Sequence, residues 1–249
     1  MMSIYRDAEK LTVNLVDWLQ NAFREANLSK AVLGISGGID SAVLAVLLCR
    51  ALGKNNVTGV IMPCHSMQID EDYAMLLVNK FDFNVAKVDL TSTFDTLKSE
   101  VMNACGGKVS DLAVANIKPR LRMTTLFAIA QSQGALVCGG SNKDEIYFGY
   151  FTKFGDRGVD LMSISDLLKG EVFQLARYLE VPQEIIDRPP TASLWDGQTD
   201  EAEMGVTYDE LDRFIATGEG SDFVKQKAEA AFKRSAHKRA FAKMAKLDF

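Results

Sequence analysis

The sequence has 249 residues, of which 47% are hydrophobic and 24% charged, and its formal net charge at pH 7 is −5. These proportions are ordinary for a globular protein with a sizeable core, and the length suits one large domain. The negative net charge gives the molecule no general attraction to nucleic acid, so we expect no nucleic-acid partner. An anionic ligand must instead be met by local basic groups.

No segment of the sequence reads as a membrane span or a signal peptide. The apolar stretch 42–49 is too short to cross a bilayer. Residues 1–23 carry acids and bases along a helical apolar stripe, unlike a signal peptide. The cysteines stand far apart, which favours buried thiols in a reducing compartment over disulfides or a zinc site; they are Cys49, Cys64, Cys105 and Cys138. We therefore expect a cytoplasmic protein without a membrane partner.

Strand-like and helical segments alternate along the chain. Short apolar runs at 31–35, 57–62, 84–90 and 135–140 predict strands. The first helical segment between them runs from about Asp40 to Gly53, and others cover 69–81, 91–104 and 111–133. This rhythm predicts an α/β fold, a parallel sheet with helices on both faces.

The remaining segments complete a single domain over 1–249. Pro119 should kink or split the helix at 111–133. A helical segment follows Asp166, then a polar loop at 187–205 and two more helices folded back onto the domain. We expect residues 188–205 to be the most mobile segment.

The turn after the first strand, Ser36-Gly37-Gly38-Ile39-Asp40-Ser41, is the most distinctive feature of the sequence. It lies at the carboxyl edge of the predicted sheet, where ligands of open α/β sheets bind. Adjacent glycines allow a close backbone approach, and the free N–H groups of the following helix favour phosphate. Asp40 would repel phosphates unless a cation lies between them, which indicates Mg²⁺. The alternative is that Asp40 only caps the helix.

The pattern S-G-G-x-D-S resembles the pyrophosphate-binding loop of the N-type ATP pyrophosphatases, which have a Rossmann-like, adenine nucleotide α-hydrolase-like fold. Further segments resemble successive motifs of the NAD synthetase family, in that family's order, over nearly the whole chain: 116–123, 139–172, 190–194, 200–212 and 235–239. The resemblance implies an ATP pyrophosphatase core at about 28–187, followed by a substrate loop and C-terminal helices at about 188–249.

The resemblance also implies an activity. NAD synthetases amidate nicotinic acid adenine dinucleotide (deamido-NAD) to NAD, the last step of NAD biosynthesis, through an adenylated nicotinate, and they release AMP and pyrophosphate. Only one helix precedes the loop, so we expect the form that uses free ammonia. A homodimer with the dinucleotide near its interface is also implied. The stripe Leu11, Leu15, Trp18 and Leu19 could lie there or pack on its own domain.

Family motifs assign ATP and metal contacts. Asp40 and Glu145 match the metal-binding carboxylates, and Lys169 matches the lysine that holds the phosphates. ATP is expected at Gly34, Ile35, Ser36, Gly37, Gly38, Ile39, Asp40, Ser41, Met62, Gln68, Gly140, Lys169 and Thr191. Adenine is expected to pack near Ile61 and Met62. For Glu145, Lys169 and Thr191 the alternative is an ordinary surface position, since such side chains are mostly exposed.

Motifs for the second substrate are the more basic ones. The resemblance places deamido-NAD at Arg120, Lys153, Asp160, His237 and Lys238. Cations within 118–122 suit a ligand rich in phosphate and carboxylate charge, although a basic run on a helix can also be a solvated face. Asp156, in a polar loop with glycines, is our candidate for positioning ammonia or accepting a proton, so the expected catalytic residues are Asp40, Asp156 and Lys169. We expect His65 to be structural.

Some positions depart from the family pattern. Gly140 replaces a threonine that contacts ATP, Pro119 replaces a small residue and could redirect Arg120, and Ser193 and Trp195 replace residues that are usually acidic. Other interpretations are a GMP synthetase-like amidotransferase, a tRNA thiolase, or a nucleotide-binding regulatory module without catalysis. The missing glutaminase half and the scattered cysteines argue against the first two, and the acids and lysine at 40, 145 and 169 argue against the third.

Overall fold

Parallel strands form the centre of the fold. The computed structural model describes residues 4–191, 197 and 199–245. The strands are β1 (Lys30–Gly34), β2 (Val57–Ile61), β3 (Asn84–Lys87) and β4 (Ala135–Val137). They pair in parallel in the order β3-β2-β1-β4. Each strand begins within one residue of a predicted run, and the parallel architecture predicted from the sequence is confirmed.

Helices connect the strands and follow the last one. They are α1 (Ala8–Glu25), α2 (Ile39–Leu52), α3 (Gln68–Phe81), α4 (Thr91–Ala104), α5 (Asp111–Ala115), α6 (Ile117–Gln133), α7 (Lys143–Phe148), α8 (Lys169–Tyr178), α9 (Gln183–Ile186), α10 (Asp200–Met204), α11 (Tyr208–Thr217), α12 (Asp222–Arg234) and α13 (Ala236–Arg239). A 3₁₀ turn, Lys54–Asn56, precedes β2.

The helices cover both faces of the sheet, as predicted. On one face α1, α2 and α8 pack together around buried side chains such as Leu19, Leu47 and Leu175. On the other, α4 and α6 cover the strands through Phe94 and Leu126. A third cluster joins α7 to α11 and α12, so the C-terminal helices fold back onto the domain.

The apolar stripe of α1 serves mainly its own domain. Leu11 and Leu19 are buried, and Leu15 packs against the same core. Trp18 is 46% exposed and stands apart from that packing. The stripe was expected either to lie at a dimer interface or to pack on its own domain, and its leucines do the second.

Several element boundaries differ from the sequence predictions. The helix expected over 111–133 is split, as predicted, but the break lies at Asn116, and Pro119 stands in the first turn of α6, where its missing N–H costs nothing. The helix expected after Asp166 begins only at Lys169. The loop predicted over 187–205 contains α10, which Thr199 caps by accepting the Ala202 N–H. A further short helix, α13, follows the two that were predicted.

The strand order places a switch point between β1 and β4. From β1 the chain adds β2 and β3 on one side, and it then crosses back to place β4 on the other side. In open α/β sheets the connections that leave the carboxyl ends of such neighbouring strands diverge and open a crevice. Residues 35–41 and 138–145, which follow β1 and β4, therefore border one crevice. Across the described residues, no helix is both long enough and apolar enough to cross a membrane.

Candidate active site

The turn after β1 is held in a shape that only glycine tolerates without strain. Gly37 has φ +76°, and a Cβ on it would lie 2.4 Å from the backbone oxygen of Asp70. The Ser41 hydroxyl donates to the Gly38 carbonyl at 2.9 Å and lies 3.1 Å from the Ser36 Oγ. These bonds fix the turn at the start of α2, whose first N–H groups face the crevice as a site for anionic oxygens.

Asp40 does not cap the helix. The N-cap of α2 is Gly38, which makes no side-chain capping bond. The Asp40 carboxylate instead accepts hydrogen bonds from Asn142 Nδ2 at 2.9 Å and from Lys169 Nζ at 2.5 Å. The capping alternative is therefore wrong. The Asp40 carboxylate instead bonds to Asn142, which follows β4, and to Lys169, which begins α8.

Asn142 joins the two predicted metal-binding carboxylates. Its Nδ2 also donates to Glu145 Oε1 at 3.0 Å, while its Oδ1 accepts the Glu145 N–H at 3.0 Å and caps α7. The side chain is fully buried. Asp40 and Glu145 are thus bonded to one amide nitrogen. Sequence reasoning missed Asn142, although its position just before an acidic helix start was a usable capping signal.

Lys169 is a buried ammonium among acids. It is the first residue of α8, it is 1% exposed, and its side chain reaches Asp40. Burial alone lowers the pKa of Lys169, but the carboxylates of Asp40 and Glu145 raise it above the ordinary lysine value. The group is therefore charged, and the interpretation of Lys169 as a plain surface lysine is wrong.

The acids around Lys169 are crowded. Burial raises the pKa of Glu145 well above its usual value, and the neighbouring Asp40 adds to the shift. Burial also raises the pKa of Asp200, and burial with Asp212 raises the pKa of Asp144 to about 9. Carboxylates in such surroundings favour a cation among them.

A cavity of about 820 Å³ opens in front of this group. All the predicted ATP positions line it except Gly37, which packs against the backbone of Asp70. Ile61, Glu145, Asp156 and Lys238 line it too, and His65 lies on its wall, where its ring nitrogen is 2.8 Å from Asp95. One continuous space therefore joins the anion-binding turn to the loop that carries Asp156.

The residues predicted for a second substrate are only partly brought together. Arg120 donates to the Lys153 carbonyl at 3.4 Å, and Lys153 donates to the His237 carbonyl at 2.7 Å, so these three form one basic group. Lys238 is the member that lines the cavity. Asp160 lies apart, because its carboxylate accepts the Val137 N–H at 2.8 Å at the end of β4.

Asp156 lies on the cavity wall, where its side chain is accessible although protein surrounds it on most sides. Its Oδ1 accepts the Thr152 N–H at 2.9 Å. Desolvation raises the pKa of Asp156, and the backbone N–H bonds and Lys238 oppose that rise. An acid with a raised pKa facing a cavity has the character of a general base.

Two arginines lie on the cavity wall that the sequence did not single out, although Arg122 was counted among the cations at 118–122. Arg122 donates from Nε to the Met62 carbonyl at 3.2 Å and from one terminal nitrogen to Ser66 Oγ at 3.3 Å. Arg188 forms an ion pair with Asp70 beside the Gly37 carbonyl. Arg122 stands in the basic run at 118–122, so its residue type was a usable signal. For Arg188 the sequence offered no such signal, because its ion pair with Asp70 joins residues that are distant in the chain.

Comparison with known proteins identifies the family. A family model described as NAD synthase matches residues 11–247. The chain is 47% identical over 222 residues to the NH(3)-dependent NAD(+) synthetase of Carboxydothermus hydrogenoformans, covering 88% of this chain and 91% of that protein. This chain belongs to the NAD synthase family.

Solved structures support the family fold. An NMN synthetase from Francisella tularensis superposes with a TM-score of 0.92 at 34% identity, covering 97% of this chain and all of that chain. The NH3-dependent NAD synthetase of Campylobacter jejuni gives a TM-score of 0.81 at 24% identity, covering 97% of this chain and 100% of that chain. NAD synthase family membership sets aside the GMP synthetase-like and tRNA thiolase interpretations.

At the positions that depart from the family pattern, the structure shows what replaces the usual residue. A Cβ on Gly140 would lie 3.5 Å from the backbone of Asp40 and Ser41, which is ordinary contact, so a side chain fits there. Pro119 leaves Arg120 donating to Lys153. Ser193 and Trp195 lie outside the described residues, and the expectation that 188–205 is the most mobile segment stays a prediction.

The donor set at this site fits a hard divalent cation. Asp40 and Glu145 present oxygens toward one nitrogen, and carboxylate oxygens are the ligands that Mg²⁺ prefers. Within the described ranges, no group of three or more His, Cys, Asp or Glu side chains is arranged to hold a metal. Mg²⁺ commonly takes one or two carboxylates and completes its shell with phosphate oxygens and water, so the pair suffices.

We predict that Gly140→Thr is tolerated and strengthens ATP binding. The added Cβ meets only ordinary contacts, and the threonine adds a hydroxyl beside the anion-binding turn. The KM for ATP should fall about threefold, the effect of one modest hydrogen bond, with an unchanged melting temperature. The matched control is Gly139→Ala, whose Cβ would lie 2.9 Å from Val159 and should lower the melting temperature. A Gly140→Thr protein that melts early or binds ATP more weakly would contradict the prediction.

Proposed function

We propose that this protein amidates deamido-NAD to NAD with free ammonia, consuming ATP and releasing AMP and pyrophosphate. The observation that carries the proposal is the meeting of Asp40, Glu145 and Lys169 at the N-terminus of α2, in a chain 47% identical to an NH(3)-dependent NAD(+) synthetase. A turn for anionic oxygens, a buried ammonium and a carboxylate pair are the groups that a pyrophosphate leaving group requires.

In the first half-reaction the nicotinate carboxylate oxygen attacks the α-phosphorus of ATP. The bond from that phosphorus to the bridging oxygen breaks, and pyrophosphate leaves. The N–H groups at 39–41 and the Lys169 ammonium bind the β- and γ-phosphates and stabilise the negative charge that develops on the leaving group. The Asp40 carboxylate holds Lys169 in position for this role.

We assign the metal to Asp40 and Glu145. A Mg²⁺ ion bound with ATP would offset negative charge on the pyrophosphate oxygens. Asn142 orients the two carboxylates, since it bonds to both of them. Without a cation these acids face one another in a crowded pocket, where the pKa of Glu145 is already raised by burial and by Asp40.

In the second half-reaction ammonia attacks the carbonyl carbon of the adenylate and AMP leaves. Asp156 faces the cavity beside Lys238, and we assign to it the proton that the attacking nitrogen must lose. The basic group of Arg120, Lys153 and His237, with Lys238, would hold the phosphates of deamido-NAD. We also assign Asp160 to this substrate, through the loop that it ties to β4.

A second candidate is amidation of the mononucleotide, with NMN as product. It is favoured by the NMN synthetase of Francisella tularensis, which superposes with a TM-score of 0.92 at 34% identity. The cavity wall includes Lys238 but not Arg120, Lys153 or His237. The lining of the cavity therefore does not by itself favour the dinucleotide over the mononucleotide. Both acceptors carry the same nicotinate half, and only the dinucleotide has the second phosphate that the basic group outside the cavity would hold.

The family resemblance also supports a homodimer in the cytoplasm, with the dinucleotide near the interface. The exposed Trp18 of α1 is one side chain that such an interface would cover. We propose the homodimer and the cytoplasmic location on this basis. We also propose that the single domain divides into a core at about 28–187 and a substrate unit at about 188–249.

The deciding assay supplies Mg-ATP and ammonium with either acceptor. We expect NAD, AMP and pyrophosphate in equal amounts from deamido-NAD, with a kcat/KM at least tenfold above that for the mononucleotide, which lacks the second phosphate. Products are separated by chromatography and phosphate species by ³¹P NMR. Formation of ADP, or turnover without either acceptor, would overturn the function. A preference for the mononucleotide would select the second candidate.

We predict that Asp156→Asn impairs the ammonia step selectively. Loss of the base should lower kcat/KM for ammonia roughly 100-fold, while pyrophosphate exchange into ATP persists because adenylation precedes proton removal. Because the pKa of Asp156 is raised, the wild-type rate at constant free ammonia should fall as pH drops through that raised value, and the variant should lose this acidic limb. The control is Asp95→Asn, because Asp95 pairs with His65 but does not itself line the cavity. Wild-type turnover of Asp156→Asn at low ammonia rejects the assignment.

We predict that Asn142→Ala weakens metal binding. Without the bridging amide the carboxylates of Asp40 and Glu145 lose their common anchor. Affinity for Mn²⁺, measured by electron paramagnetic resonance with a non-hydrolysable ATP analogue, should fall about tenfold. Asn103→Ala, an exposed position in α4, is the matched control. Equal Mn²⁺ affinity in the variant and the wild type would show that Asn142 does not orient the carboxylates.

A further inference from the structure

The backbone of Lys169 is held by two acids from distant parts of the chain. Its N–H donates to Asp144 Oδ2 at 2.9 Å and to Asp212 Oδ1 at 3.0 Å. The next N–H, of Gly170, donates to Asp212 Oδ2 at 2.8 Å. These N–H groups open α8 and have no partner inside the helix. Both acids are fully buried, so the contacts are shielded from water.

The same helix start is closed from outside by the N-terminal segment. The Tyr5 hydroxyl donates to Asp212 Oδ2 at 2.9 Å, and its ring lies where a Cβ on Gly170 would be, 2.3 Å away. Arg6 donates to Glu171 from Nε at 2.7 Å, and Glu171 in turn accepts the Leu168 N–H at 3.0 Å. The first turn of α8 is therefore clamped by residues near positions 5 and 212.

The acids fix the start of α8 and leave the ligand-binding role to the Lys169 side chain. That side chain leaves the clamped turn and pairs with Asp40 at its tip. Asp144 is adjacent to Glu145 on α7, so one short helix supplies both a backbone anchor for Lys169 and a carboxylate facing its ammonium. A shift of the helix start would move the ammonium relative to the anion-binding turn.

We propose that Asp212 is a positioning residue for the adenylation half-reaction, acting through the backbone of Lys169, with Asp144 and Tyr5 completing the anchor. This rests on the proposed function, because it assigns the ammonium to the phosphates of ATP. Asp212 lies outside the cavity and does not contact substrate; its effect on catalysis is the placement of Lys169 Nζ. The C-terminal helices thereby take part in ATP activation.

The variant Asp212→Asn tests the proposal with little change of shape. Its amide nitrogen replaces one acceptor oxygen and cannot receive the N–H and O–H groups that Asp212 accepts. Because a misplaced catalytic group costs up to about 100-fold, pyrophosphate exchange should slow by that order and its KM for ATP should rise. The KM for the pyridine substrate should stay unchanged. Asp209→Asn, exposed on the same helix, is the matched control.

A double variant separates positioning from general damage. If Asp212 acts only through Lys169, exchange by Lys169→Met/Asp212→Asn is no slower than exchange by Lys169→Met alone. Multiplied losses would overturn the proposal. The proposal would also be overturned if only a fraction of the Asp212→Asn protein were active and that fraction had the wild-type KM for ATP.

Two further measurements cover the remaining cases. If Asp212→Asn does not fold, Tyr5→Phe removes one donor to Asp212 and keeps the ring on Gly170. A several-fold rise in the KM for ATP then supports the anchor, and an unchanged KM overturns it.

If the wild type binds Mg-ATP but shows no exchange with either pyridine acid, the proposed function fails. Calorimetric ATP affinity of the wild type and Asp212→Asn then decides the positioning role, with equal affinities overturning it.

Discussion

The ion pair between Lys169 and Asp40 is the interaction on which the rest of the site depends. Lys169 is 1% exposed, and an ammonium so placed is stable only with its partner present. Removing one member of such a pair leaves an uncompensated buried charge, which is strongly destabilising. The pair joins the turn after β1 to the start of α8, and Asn142 extends the connection to Glu145. The ion pair and the two Asn142 bonds together fix the relative positions of three chain segments.

The contacts around this pair explain how a largely acidic molecule holds an anionic substrate. Lys169 and the N–H groups of the turn supply positive charge at the switch point of the sheet. Arg120, Lys153 and Lys238 supply it farther along the crevice, and across the described residues no acid lies within ion-pair distance of these three. Their nearest polar contacts are backbone carbonyls instead. Cations whose charge is not neutralised remain available to phosphate.

Local patterns in the sequence predicted the parts of the fold that depend on local chemistry. The strands follow from short apolar runs, and the turn after β1 follows from its glycines. Contacts between distant residues could not be predicted: the Asn142 bridge requires β1 and β4 to be neighbours, and Asp212 on α11 accepts a bond from the start of α8, 43 residues earlier in the chain. The five-residue helix α10 is too short to show a periodicity, and only its cap at Thr199 marked it. The Asp40 interpretation stayed open for the same reason, since a cap and a metal ligand look alike in sequence.

The clamp on the first turn of α8 has a consequence for how the molecule is made. Ribosomal synthesis delivers Tyr5 early, the turn and Lys169 later, and Asp212 later still, after the chain has passed the crevice. Until α11 has left the ribosome, the N–H groups of Lys169 and Gly170 lack an acceptor that the finished protein gives them. A nascent chain ending at residue 200 therefore has the turn, the lysine and the acceptor from Asp144, but it lacks the acceptors that Asp212 supplies. With the proposed role of Asp212, the placement of Lys169 for nucleotide chemistry is completed only when α11 docks, late in translation.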